Sequence, residues 1–210
     1  MDQRFSAYIT QYEKNYTFTE TEREESELLG VKITVILYEY DTDTEHRDRA
    51  EIFLEKDGLR YRCEGIERPQ WDFFPVTVEG RSCILFSKTL YGFTLLDAET
   101  LTEITDFFPE KVLNGEESFI ITHAGSFGEY LIFEGCYWGC DSIYAAYEPA
   151  THRFLNLSQA YGILPGDHYA QMWGDSLRLL GDTPDKETYE VKIKETDISS
   201  LMTERGTTDF

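Results

Sequence analysis

With 210 residues, 41% of them hydrophobic and 15% aromatic, the chain can bury a core of its own and is not a disordered tail. Its 19 Lys and Arg stand against 40 Asp and Glu, a net charge of −21 that repels phosphate backbones and anionic lipid. Nucleic-acid and membrane-surface partners are therefore disfavoured, a basic protein partner is permitted, and the simplest role of the acidity is solubility.

The N-terminus shows no basic region followed by an apolar core, and no run approaches the length of a membrane span, so a cytoplasmic chain with reduced cysteines is expected. Phe5, Tyr8, Ile9 and Tyr12 recur at helical spacing, which predicts a short amphipathic helix over 2–14. The glutamate-dense stretch after Thr19 ends in Leu28-Leu29-Gly30. There Thr21 with Glu24 reads as a capping box and Gly30 as a helix stop, with a mobile acidic lead-in as the alternative. Residues 1–30 are thus expected as a helical or mobile acidic segment, 31–198 as a single β-repeat domain, since no Pro-, Gly- or Ser-rich linker divides it, and 199–210 as a tail.

Val31 to Tyr40, rich in Val, Ile and Tyr and apolar on both faces near its centre, predicts a strand inside a sheet. The following Asp41-Thr-Asp-Thr-Glu-His46 begins like a calcium loop but carries His46 where glycine is needed and Ile52 where a bidentate glutamate is needed, so it reads as a solvated acidic loop. Glu51 to Arg62 then forms a hairpin turning at Asp57-Gly58. The same shape recurs over Gly92 to Ile104, turning near Glu99-Thr100, and over Ile143 to Leu155, turning near Ala150-Thr151, with Glu55, Asp97 and Glu148 in corresponding places.

Another strand precedes each hairpin: Val35-Ile-Leu-Tyr38, Ile84-Leu-Phe-Ser87 and Leu131-Ile-Phe-Glu134. The latter two are preceded by one more, Phe74 to Gly80 and Phe119 to Gly125, and Tyr16-Thr-Phe-Thr19 is the candidate for the missing one. A fourth copy runs from Tyr169 through Leu177-Arg-Leu-Leu-Gly181 to Thr188–Lys194.

Units of four strands at about 40 to 50 residues resemble generic β-propeller blades, over roughly residues 30 to 195. The resemblance implies an all-β fold of antiparallel four-stranded repeats: either a small β-propeller of about four blades, or a propeller-like twisted meander. The Trp71-Asp72 pair precedes a strand instead of ending one, so it carries no kinship to WD repeats.

Glu134-Gly-Cys-Tyr-Trp-Gly-Cys140 concentrates two large aromatics between glycines, and predicts a binding lip of Tyr137 and Trp138 on a loop set by Gly135 and Gly139. The competing reading is that these rings cap the core where the chain turns. Cys136 and Cys140 would need His123, His152 or Cys63 to complete a zinc site. On an extended strand residues four apart are separated by about 13 Å, so no metal is expected. Asp167 beside His168 reads as turn chemistry after Pro165-Gly166.

No nucleophile elbow, His-Glu-x-x-His or phosphate loop occurs, and no cofactor is expected. The expected function is a noncatalytic cytosolic interaction protein. One alternative is an acidic inhibitor or immunity-type protein that neutralises a basic partner by charge complementarity. The other is an enzyme of unknown class with its site in a propeller channel.

Overall fold

Apolar side chains at 5, 9 and 12 recur about one turn apart, and they fold as helix α1 (Gln3–Glu13), the first element of the computed structural model. The structure describes residues 3–13, 16–67, 72–116, 118–127, 130–136, 143–151, 153–156, 168–173, 176–181 and 203–204. Within them the chain is mostly antiparallel β with two helices, and it divides into two compact units, Met1–Ser118 and Phe119–Phe210. In the first unit Phe5, Ile9 and Tyr12 are buried against Ile66, Phe108 and Val112, the last on the short helix α2 (Glu110–Leu113).

The stretch expected as a capped helix or mobile lead-in is instead strand β1 (Thr19–Leu28), antiparallel to β2 (Val31–Asp41). Two physical reasons decide this. Leu29 and Gly30, with φ of 54° and 73°, make the doubly left-handed two-residue turn that joins strands, so Gly30 turns a hairpin and does not stop a helix. Glutamates crowded on a helix would also repel one another. On the strand, Glu25 lies opposite Thr34, close enough to pair with Lys32 at 3.0 Å. β1, and not Tyr16-Thr-Phe-Thr19, therefore supplies the first strand of the first repeat.

β3 (His46–Lys56) and β4 (Leu59–Ile66) complete a four-stranded meander of order β1-β2-β3-β4. Asp57 and Gly58, with φ of 49° and 81°, form the expected turn between them. Alternation along the strands puts Val31, Ile33, Val35, Ala50, Ile52, Leu54 and Cys63 on one face. A second meander, β5 (Phe73–Val78), β6 (Arg81–Phe86), β7 (Phe93–Asp97) and β8 (Glu103–Phe107), packs on that face through Ile84, Phe86, Leu96, Ala98 and Leu101. The acidic residue that recurs before the hairpin turns has a visible task at Asp97: its Oδ1 accepts the amides of Glu99 and Thr100, both at 2.9 Å.

The second unit holds β9 (Ile120–Phe127), β10 (Tyr130–Cys136), β11 (Ile143–Glu148), β12 (Arg153–Asn156) and β15 (Thr203–Glu204) in a five-stranded antiparallel sheet of order β15-β12-β11-β10-β9. Thr203 and Glu204, placed in a tail by the sequence reading, thus pair with β12. β13 (His168–Trp173) and β14 (Ser176–Gly181) form a separate hairpin. His168, expected on a loop, opens β13 opposite Gly181. The strand expected at Thr188–Lys194 lies outside the described residues. None of these sheets closes on itself through pairing among the described residues.

Gly135 sits on β10, where the register against β9 shifts between Glu134 and Gly135. A Cβ there would stand 1.9 Å from the Ile120 carbonyl oxygen and 2.6 Å from Phe119 Cζ, so the close approach of two strands requires glycine. Gly135→Ala is expected to destabilise the second unit by about 1–3 kcal/mol, the usual cost of forcing atoms into a filled site. Gly125→Ala on β9, where a Cβ meets nothing within 4 Å, is expected to leave the melting temperature nearly unchanged. Thermal unfolding of both variants checks the contrast; equal losses would remove the packing explanation.

Candidate functional site

The first unit contains a buried polar cluster where β4, β8, the segment after β6 and α1 meet. Lys88 is 2% exposed, and its ammonium binds Asp106 Oδ1 while standing 5.0 Å from the centroid of the Phe5 ring. Thr94 Oγ1 donates to the same carboxylate oxygen at 2.8 Å, and the Lys88 carbonyl accepts the Ile66 amide at 2.9 Å. Beside this pair Tyr61 donates to Glu103 Oε1 at 2.6 Å.

Burial keeps the thiol and the phenol of this cluster in their protonated forms. Burial pushes the Cys63 thiol up to about 12, against the opposing pull of the Lys88 ammonium. It also pushes the Tyr61 phenol far above its usual range, reinforced by Cys63 beside it and by the bond to Glu103. A thiol so protonated is a poor nucleophile, and the ammonium that could activate it is already committed to Asp106.

A second cluster ties α1 to the β2–β3 turn. The Arg47 guanidinium lies 4.8 Å from the Tyr12 ring centroid and 4.4 Å from that of Tyr16, and donates to Glu45 at 2.7 Å. Tyr12 OH donates to the Asp48 carbonyl and accepts the Asp48 amide, each at 3.1 Å. Next to it His46 Nε2 stands 2.8 Å from Asp48 and its Nδ1 3.7 Å from Asp41. The Asp48 charge above all raises the His46 pKa from the ordinary 6.5. Elsewhere Tyr8 and Tyr91 line an open groove of about 430 Å³ with Val112, Leu113 and Asn114.

The third feature is β1 itself, which forms one edge of its sheet and is exposed from Thr19 to Glu27 on both faces. Opposite Leu37 and Val35, Glu22 and Glu24 share the face that β2 to β4 turn toward the core; opposite Lys32, Glu27 shares the outer face with Arg23 and Glu25. Arg23 engages Glu20 at 3.6 Å and Lys32 engages Glu25. Among the described residues, Glu22, Glu24 and Glu27 form no ion pair, Lys32 across the ladder from Glu27 being engaged by Glu25. The sequence carried the signal for this strip in its glutamate density, but its reading as a helix or mobile lead-in concealed that the chain would present it as an open edge.

Of the residues expected to form a binding lip, Gly135 lies within β10 as described above, whereas Tyr137, Trp138 and Gly139 lie outside the described residues, as do Cys140, His152 and Asp167. Cys63, Cys83 and Cys136 are free thiols, and no group of three or more His, Cys, Asp or Glu among the described residues could hold a metal ion. No helix among them is long and apolar enough to cross a membrane. No family model, curated protein or solved structure matches the chain.

Asp106→Asn leaves a buried ammonium without its anion and is expected to cost about 3–5 kcal/mol, whereas Lys88→Met combined with Asp106→Leu is expected to recover most of that loss. Denaturant unfolding of the single and double variants checks this, and a neutral single variant would refute it. At His46 the folded pKa is raised, so the pair's contribution to stability is full below about pH 6.5, the unfolded value, and is lost as pH rises through the folded midpoint. An NMR titration of His46 is expected to show a midpoint above that of a free histidine, falling back in Asp48→Asn.

Proposed function

We propose that this chain is a noncatalytic interaction protein that binds a basic protein partner through its acidic edge strand β1. The observation that carries this reading is the combination at β1: a ten-residue strand, exposed along nearly its whole length, with Glu22, Glu24 and Glu27 forming no ion pair among the described residues. In a sheet whose other cations are engaged by neighbours, such uncompensated charge costs self-repulsion that a cationic partner relieves. The buried cluster supports the noncatalytic half of the reading, because its thiol is protonated and its ammonium is neutralised.

The platform for this edge is proposed to be a series of propeller-like blades. What supports it is that both meanders of the first unit keep sequential strand order and pack face to face, as neighbouring blades do.

The test separates β1 from overall acidity. Glu22→Lys, Glu24→Lys and Glu27→Lys together are expected to weaken binding of an oligolysine peptide by about tenfold or more, while Asp43→Lys, Glu110→Lys and Glu116→Lys, an equal change of net charge at exposed sites elsewhere, are expected to have a much smaller effect. Equal losses in the two triple variants, measured by titration at low salt, would reduce the acidity to a general property of the surface.

A further inference from the structure

Resting on the reading of β1 as the interaction surface, the manner of engagement follows from its backbone. A strand inside a sheet pairs its N–H and C=O groups with two neighbours, but β1 pairs with β2 alone among the described residues. Nine of its ten positions are exposed, so the groups along its outer edge are open to solvent. An edge of that length is a template for another strand. We propose that β1 takes up an extended, lysine- or arginine-rich segment of a partner protein by strand addition. The partner's backbone pairs along the outer edge, and its cations meet Glu22 and Glu24 on one face and Glu27 on the other.

Charge selects this occupant over a second copy of the chain. Antiparallel pairing of two β1 strands would set glutamates against glutamates across the new ladder, and like charges on facing strands destabilise it. A basic strand meets the opposite situation at each of those positions. Its basic residues must fall at both odd and even positions, because successive residues of an added strand point to opposite faces. Main-chain hydrogen bonds then supply attachment, and the glutamates supply selectivity for the charge of the incoming segment.

The experiment uses the full chain and two acetylated octapeptides of sequence Lys-Lys-Val-Val-Lys-Lys-Val-Val, which carry lysines on both faces of an added strand, one of them methylated on two successive central backbone nitrogens. Neighbouring amides of a strand point to opposite edges, so the two methyl groups block pairing from either side while preserving every charge. The unmethylated peptide is expected to bind, to slow hydrogen exchange at alternate amides of β1, and to exceed its methylated analogue in affinity by about tenfold, since whichever edge pairs with β1 loses one backbone hydrogen bond and meets a methyl group.

Equal affinity of the two peptides, with both lost in the Glu22→Lys, Glu24→Lys, Glu27→Lys variant, would overturn strand addition and leave the acidic-surface reading standing. Binding of both peptides unaltered by that variant would overturn both. Outer-edge amides of β1 already protected in the free chain, as a monomer or as a dimer by sedimentation, would assign the edge to another occupant and overturn the proposal.

Discussion

One residue, Lys88, joins every layer of the first unit. Its backbone carbonyl accepts the Ile66 amide of the first sheet, while its ammonium binds Asp106 of the second, with Thr94 behind it, and lies over the face of Phe5 on α1. A lysine so deeply buried is tolerated only with its charge neutralised and its donors directed, because desolvating an unpaired ammonium costs several kcal/mol, on the order of a domain's whole stability. The sheets and the helix can therefore approach one another in few ways, and the apolar contacts between Ile52, Leu54, Ile84, Phe86 and Leu96 form around that fixed point. Nonspecific apolar packing would supply stabilisation without such a restriction on register.

The scarcity of cations gives the charge pattern of the first sheet its local meaning. On the outer face Arg49 lies over Tyr38 and binds Glu64, while Arg60 and Arg62 lie over Phe53 and reach Glu55 and Glu51. Each guanidinium covers an aromatic face and satisfies a carboxylate at once, as its planar fork allows. These engagements concentrate on β3 and β4, so the negative balance of the sheet accumulates at β1. A charged edge resists indiscriminate pairing, and under the proposed reading the same charge favours a strand of the opposite sign.

The buried thiol and phenol belong to the same economy. Tyr61 points its hydroxyl at Glu103 and Cys63 sits in the core face beside it, so two groups that elsewhere serve as nucleophile and acid are here held protonated by burial. Their contribution is to fill space between the sheets and to meet the polar ends of β8. Among the described residues, Thr89, Thr105 and Ser118 carry buried hydroxyl oxygens without a hydrogen-bond partner, a polar cost that the apolar packing of the unit offsets.

Local chemistry made much of the fold legible from the sequence. Runs of β-branched, aromatic and other apolar residues gave β2 and β6, the Asp57-Gly58 dipeptide and the acidic residue at Asp97 marked the β3–β4 and β7–β8 turns, and the spacing of Phe5, Ile9 and Tyr12 defined α1. Each of these signals acts within a few residues of itself, where backbone sterics and side-chain period decide the outcome. The state of residues 19–28 was not of that kind: glutamates have no strong preference there, and only the presence of β2, offered by the turn at Leu29-Gly30, made a strand of them. The requirement for glycine at 135 arose from the approach of Ile120 and Phe119, and the burial of Lys88 from its distance in sequence to Asp106 and Phe5. Such pairings depend on which segments meet across the sheets, a matter of long-range packing that no local pattern of residues encodes.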